Sequence, residues 1–294
     1  VVPSETMKQL LSGTATDPAL TRLAPRYADA LAKLKAAGAI ENEKSLSAAV
    51  VFTTQTPVDG ATAAVNDLRG REFTVSDRSC TSDNGVKTCE FTYIGGDYRK
   101  NGYFDERDPT PQRTWTIKAT AWMPDEAHTG AWATMIAGHG LGGDRTQGAY
   151  LASQAIQGGF AVVAIDAPYH GEHPLQPQIA QFGSAEFLGA SLSGFNVKID
   201  ARKLRDNLHT AAFDKLELLE ILKAGVDLDE DGTNDLDASD LVYLGVSLGG
   251  IMAPEFLAFA PETQVATPIV PGARMVDILR DSENFQQIVA QVRP

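Results

Sequence analysis

The sequence predicts an α/β fold, a mainly parallel sheet flanked by helices with a small α+β module in front of it. Three observations carry this. Beyond Arg113, strand-like and helix-like segments alternate, which is the pattern of βαβ units. The strands in that region, "ATMIAG", "FAVVAID" and "DLVYLGV", are short continuous apolar runs, as expected of strands covered on both faces. A polar, Gly/Pro-marked stretch, Gly95–Gln112, separates this regime from the one before it. The expected division is an N-terminal module over residues 1–112 and an α/β domain over 113–294.

Taken in order, Asp17, Pro18 and Gly38 mark the cap, first turn and stop of a helix from Pro18 to about Ala37. Its apolar stripe is Leu20, Leu23, Tyr27, Leu31 and Leu34. "SAAVVFTTQT" reads as a strand and "ATAAVNDLR" as a short helix. "REFTV" and "CEFTY" read as the arms of a hairpin whose Asn84-Gly85 step favours positive φ. "RTWTIKATAWMP" alternates like a half-buried strand, and "DRTQGAYLASQAIQGG" has helical spacing. A longer helix is predicted over Asp200–Ala224, with Leu204, Leu208, Leu216, Leu219 and Leu222 inward and Gly225 as its stop. Residues 173–198, rich in glycine and exposed-looking aromatics, read as a cap insertion beside the active site; an ordinary surface insertion is the alternative. "VATPIVPG" is the last strand, so the α/β domain is expected to be incomplete at its C-terminal side.

Composition excludes several classes. A net charge of −13 disfavours nucleic acid and anionic membrane surfaces, and its plain effect is solubility. No apolar run approaches the ~18 residues of a membrane span. Cys80 and Cys89 flank the hairpin turn, so the turn can bring the thiols together; the alternative is two free thiols of a cytosolic protein. A bridge implies an oxidising compartment, and a secreted or periplasmic location is expected.

The chemistry-bearing motif is Gly245-Val246-Ser247-Leu248-Gly249, between a strand and a helix. It matches the G-x-S-x-G elbow, in which a serine sits on a sharp strand-to-helix turn and flanking glycines permit close approach of neighbouring backbone. A second motif, Gly138-His139-Gly140-Leu141-Gly142-Gly143, follows "ATMIA". Gly138, Gly140 and Gly143 also fit a dinucleotide spacing, with Asp166 loosely placed as its acid. The elbow downstream decides for an oxyanion loop instead. The Leu248 amide, next to the nucleophile, and the Leu141 amide, from the earlier loop, are the expected donors. His139 then shapes the turn rather than carrying protons.

With these motifs in hand, the chain resembles the α/β-hydrolases, and more narrowly bacterial extracellular lipases and carboxylesterases with a "virulence factor lipase" N-terminal region. The matching stretches are "DPALTRLAPRYADALAKLKAAG", "VVFTTQT", "AGHGLGG", "DAPYHGEH", "DLDEDGTNDLDASDLVYLGVSLGG" and "VPGARMVDILRDS". The resemblance implies ester hydrolysis through a Ser-Asp-His triad whose acid and histidine both follow the serine. It also implies that Asp166 and His170 belong to a structural turn.

One feature departs from that pattern. All five histidines, His128, His139, His170, His173 and His209, precede Ser247. A serine hydroxyl without a base is a poor nucleophile near neutral pH. Three explanations stand: a longer polypeptide whose remaining C-terminal segment carries the triad acid and base, an upstream histidine in an unusual chain order, or a catalytically dead scaffold. The first is the favoured expectation, because an open sheet edge needs covering.

Between the long helix and the "DLVYLGV" strand runs an acidic loop. Asp227, Asp229, Asp231, Thr233 and Asp235 occupy positions 1, 3, 5, 7 and 9 of an oxygen-rich calcium loop, Gly232 stands at 6, and Asp237 or Asp240 is a candidate to complete the shell. Ala238 at position 12 and the following strand exclude an EF-hand. The alternative is a solvated acidic turn. The reading is a serine ester hydrolase with Ser247 as nucleophile, acting on a small ester, lipid or polyester. It needs no catalytic cofactor, and calcium would be structural. A peptidase or thioesterase uses the same elbow, and a calcium-stabilised, non-catalytic binding module is the alternative from another class.

Overall fold

The structure, a computed structural model, describes residues 3–42, 46, 49, 51, 58–177, 183–193, 196–272, 274–281 and 283. The chain separates into two compact units, Val1–Thr56 and Pro57–Pro294. The first holds helices α1 (Glu5–Ser12) and α2 (Pro18–Ala36). Asp17 caps α2 through hydrogen bonds from the amides of Ala19 and Leu20, and Pro18 occupies its first turn, as the residue types require. Of the expected stripe, Leu31 is buried while Leu23 and Leu34 stay exposed. The strand expected at "SAAVVFTTQT" lies largely outside the described residues.

The second unit opens with α3 (Asp59–Arg69) and the hairpin β1 (Val75–Asp83) and β2 (Val86–Asp97), followed by the small β3–β4 hairpin (Arg99–Lys100, Tyr103–Phe104). Next come β5 (Arg113–Pro124), β6 (Trp132–Gly138), a 3-10 turn at Arg145–Gln147, α4 (Gly148–Gln157) and β7 (Phe160–Ile165). After α5 (Gly183–Phe187) and the β8–β9 hairpin (Ala190–Ser193, Asn196–Ile199) run α6 (Ala201–Ala224), β10 (Leu236–Val246), α7 (Leu248–Ala258), β11 (Thr263–Ile269) and α8 (Met275–Asp281).

Seven strands form one sheet in the order β1-β2-β5-β7-β6-β10-β11. From β7 to β11 the pairings are parallel, and from β1 to β7 they are antiparallel. The sheet is thus mixed, parallel where helices cross over and antiparallel where the hairpin extends it. This order, with helices on its faces and a serine turn after β10, is the α/β-hydrolase fold. The hairpin expected in a separate 1–112 module instead pairs with β5 along the whole of β2. The compact division consequently falls after Thr56, because the ladder between β2 and β5 leaves no boundary near 112.

At the hairpin tip, Asn84 and Gly85 both take positive φ, 52° and 79°, the geometry their types predict. Cys80 stands directly across from Cys89 and is disulfide-bonded to it. The core gathers Phe91, Ile117, Val163, Ile136 and Tyr243 from the sheet against Leu68 of α3 and Phe213 and Leu219 of α6. Helix α6 is more buried than its leucine stripe implied, and Asp206, Asn207, Asp214, Lys215 and Glu217 are buried with it. Several of these have dedicated partners: Asp206 accepts from the Phe104 amide at 3.0 Å, Asn207 from Arg99 at 2.9 Å, and Glu217 from Arg71 and the Gly96 amide, each at 2.9 Å. Among the described residues no helix is long and apolar enough to cross a membrane.

The described part of the 173–198 segment is less exposed than its composition suggested. Phe187 and Leu188 are buried, packed with Leu204, Leu248 and Met252. The segment therefore rests partly on α7, the helix that follows Ser247.

Candidate active site

Strand β10 ends at Val246 and α7 begins at Leu248, so Ser247 alone makes the turn. Its backbone sits at φ 52°, ψ −108°, a strained conformation for a residue with a Cβ. Neighbouring backbone holds it there: the Ser247 amide donates to the Ile269 carbonyl at 2.9 Å, and the Ile251 amide donates to the Ser247 carbonyl at 2.9 Å. The glycines on either side are sterically required. A Cβ on Gly249 would lie 2.2 Å from the Gly138 carbonyl oxygen, and one on Gly245 would lie 2.4 Å from the Gly249 carbonyl oxygen.

The glycine-rich loop after β6 meets this elbow. The Gly249 amide donates to the His139 carbonyl at 2.9 Å, and a Cβ on Gly140 would be 3.7 Å from the Ser247 Cβ. Gln147, which the sequence reading missed, shapes the loop by accepting from the Gly140 amide at 3.1 Å. With the Gly140 and Gly249 amides both committed, Leu141 and Leu248 are the adjacent positions from which a donor can come. Leu248 is the first residue of α7, where helix geometry provides no intrahelical acceptor for its amide. No sequence signal singles out Gln147, since its role depends on the fold of the loop.

The histidines make their hydrogen bonds and ring contacts elsewhere, and two ring nitrogens, His128 Nε2 and His170 Nε2, are buried without a hydrogen-bond partner among the described residues. His139 Nε2 accepts from the Ala167 amide at 2.9 Å, and its Nδ1 lies 2.8 Å from the Gly140 carbonyl, to which it donates. With both ring nitrogens occupied it has no free lone pair to act as a base, and burial lowers its pKa to about 4. His170 Nδ1 bonds the Pro168 carbonyl at 2.9 Å and burial lowers its pKa as well. His173 Nε2 bonds Asp214 at 3.1 Å, His209 pairs with Glu255, and His128 stacks on Trp132. None of these contacts involves Ser247.

Asp166 is structural, as the resemblance implied. Its carboxylate is buried and accepts from the Arg145 amide at 2.6 Å, Arg145 Nη1 at 2.7 Å and the Glu172 amide at 2.9 Å. Arg145 also donates to Thr120 at 3.0 Å and pairs with Glu172. This cluster borders an open cleft of about 610 Å³ beside the glycine-rich loop, lined by Gly142, Gly143, Tyr169, His170, Gln176 and Ser184 among others.

The acidic loop lies at the other end of β10. Asp227, Asp229 and Asp235 bring carboxylate oxygens within 4.8 Å of one another. Asp231 and Asp237 do not join them. Asp231 accepts from the Thr233 amide at 2.8 Å, and Asp237 from the amide and hydroxyl of Ser239 at 2.9 and 2.6 Å, local turns that compete for their oxygens. Lys87 of β2 pairs with Asp229, a partner that sequence could not place because it comes from a hairpin distant in the chain.

No protein-family model matches this chain, and no curated protein matches it. Among solved structures it is similar to acetyl xylan esterase 1 from Thermoanaerobacterium sp. JW/SL YS485, at 17% identity over 80% of this chain and 65% of that one, with a TM-score of 0.49. It is also similar to an acetyl xylan esterase from Paenibacillus sp. R4, at 17% identity over 83% of this chain and 73% of that one, TM-score 0.48. A peroxisomal α/β-hydrolase from Saccharomyces cerevisiae is 15% identical over 65% of this chain and 47% of that one, TM-score 0.41. The chain thus spans 65% of the length of the first of these.

Proposed function

We propose that this chain is the nucleophile-bearing part of a serine carboxylic ester hydrolase. The observation that carries the reading is the joined elbow and glycine loop, with Ser247 held at φ 52° and the Gly249 amide tied to the His139 carbonyl. In the proposed reaction, Ser247 Oγ attacks the ester carbonyl carbon as a base removes its proton. The tetrahedral oxyanion accepts hydrogen bonds from the Leu141 and Leu248 amides. Its collapse expels the alcohol, which takes the proton, and leaves an acyl-enzyme. Water, deprotonated by the same base, then releases the carboxylic acid and restores the serine. One oxyanion donor is worth about 3–4 kcal/mol to such a transition state.

The base and its acid partner are proposed to come from polypeptide following Pro294. Two observations support this. Among the described residues none of the five histidines hydrogen-bonds Ser247, and the bonded ring nitrogens of His139, His170, His173 and His209 are held by other groups. Strand β11, last in the sheet, is exposed along most of its length, with Val265 58% and Ile269 39% accessible and the adjacent Val270 73% accessible. Additional strands pairing there would cover that edge and bring an imidazole to the end of β10. The disulfide supports a secreted or periplasmic setting. The proposed substrates are small esters, lipids or polyesters.

That no histidine hydrogen-bonds Ser247 among the described residues also favours a second reading, a non-catalytic binding module on a hydrolase scaffold. A fluorophosphonate probe separates the two. A chain extended beyond Pro294 by its native sequence should form a covalent adduct lost in Ser247→Ala. Absence of an adduct in the folded, extended protein would overturn the esterase reading in favour of the binding module.

A further inference from the structure

The loop between α6 and β10 takes no part in the proposed chemistry, yet it concentrates unneutralised charge in a buried place. Asp227 Oδ2 accepts from the Gly232 amide at 2.8 Å and Asp235 Oδ2 from the Leu228 amide at 2.7 Å. The other oxygen of each, Asp227 Oδ1 and Asp235 Oδ1, is buried and has no hydrogen-bond partner among the described residues. Asp235 is 0% exposed. His128 Nε2 is 3.8 Å from Asp235 Oδ1, beyond hydrogen-bond reach, and is itself without a hydrogen-bond partner among the described residues. Leaving a buried carboxylate oxygen unmatched is costly, so such an oxygen points to a missing positive partner.

We propose that Asp227, Asp229 and Asp235 bind one calcium ion. Three carboxylates meet a single ammonium, that of Lys87, so the cluster retains two negative charges for a divalent cation to neutralise. The donor set is all oxygen, the preference of a hard cation. Its spread also suits calcium: oxygens on opposite sides of a calcium ion, each about 2.3–2.6 Å from it, stand about 5 Å apart. The carboxylate oxygens here lie within 4.8 Å of one another. Calcium tolerates an irregular shell completed by water, whereas magnesium demands a tighter octahedron.

The site is a brace. Leu236 opens β10 beside the loop, and Ser247 follows the far end of the same strand. Around the loop converge Lys87 and Arg78 of the β1–β2 hairpin, the latter paired with Glu230 of the loop, Cys80 Sγ at 3.6 Å from the Leu228 carbonyl, and the Trp132 amide of β6 donating to the Asp235 carbonyl at 2.9 Å. A cation there fixes the α6–β10 connection against three other strands, β1, β2 and β6, independently of whether Ser247 is a nucleophile.

The test uses the chelator-treated chain and calcium chloride alone. Isothermal titration should give one site with Kd in the range of about 10⁻⁶–10⁻³ M, and magnesium should bind at least ~10-fold more weakly. Calcium should raise the unfolding temperature more than sodium chloride at the same ionic strength, the behaviour of a ligand bound only by the folded state. Asp235→Asn should lower calcium affinity by ~10-fold or more, the scale of losing a metal-site contact, while Asp231→Asn and Asp237→Asn should leave it unchanged. If Asp235→Asn does not fold, terbium luminescence sensitised through Trp132 in the wild-type chain, displaced by calcium, reports the same site. Absence of calcium-specific heat and stabilisation in the wild type would overturn the proposal, as would equal weakening by Asp231→Asn.

Discussion

His139 Nε2 accepts the amide proton of Ala167 at 2.9 Å while its Nδ1 proton goes to the Gly140 carbonyl. One neutral imidazole therefore ties the glycine loop to the turn after β7. Burial holds its folded pKa at about 4, against 6.5 ordinarily. Because the unfolded chain binds more protons between those values, the stabilisation is fully present above pH 6.5 and lost as pH falls toward 4. The upper limit is about 3 kcal/mol. Urea unfolding from pH 7 to 4 should show a shallower fall for His139→Asn than for the wild type; parallel curves would contradict the assignment.

Gly249 and Gly245 occupy space that no side chain can share with the backbone around Ser247. Gly249→Ala places a Cβ 2.2 Å from the Gly138 carbonyl oxygen, and the resulting shift should cost about 1–3 kcal/mol. Gly70→Ala is the control, since its nearest neighbour would be 3.4 Å away and its φ is −83°. It should stay within about 0.5 kcal/mol of the wild type. Denaturant midpoints measure both.

Arg145 and Asp166 form a buried ion pair, and removing one partner strands the other. Arg145→Met should destabilise the protein by about 3–5 kcal/mol, with Asp166 left uncompensated. Adding Asp166→Asn should recover part of that loss. A double-mutant cycle with no coupling would show that the pair is not the stabilising unit.

Cys80 and Cys89 close a short loop across the hairpin that flanks the acidic loop. Replacing both by serine should lower stability by roughly 3 kcal/mol, read from denaturant unfolding under non-reducing conditions. The wild type under strong reductant should approach the same value.

Much of this was legible in the residues. Apolar runs gave β6, β7 and β10 because strands covered on both faces carry no polar alternation. Asp17 and Pro18 set the start of α2, and Asn84-Gly85 the hairpin, because caps and tight turns depend on local geometry alone. The elbow was readable for the same reason: a serine at φ 52° with glycines beside it leaves a short, contiguous pattern.

What the chain's own letters determined, then, is whatever depends on near neighbours: element types, the turn at Ser247, and the acidic loop. Tertiary structure decided whatever depends on residues far apart. It placed the β1–β2 hairpin in the main sheet through β5, and buried α6 around polar groups that Arg71 and Arg99 satisfy. It selected Asp227, Asp229 and Asp235 from a longer acidic run, and gave His139 to Ala167 rather than to Ser247. A side chain's partner is set by where the packed backbone delivers it, and sequence spacing carries that information only over a few turns of chain.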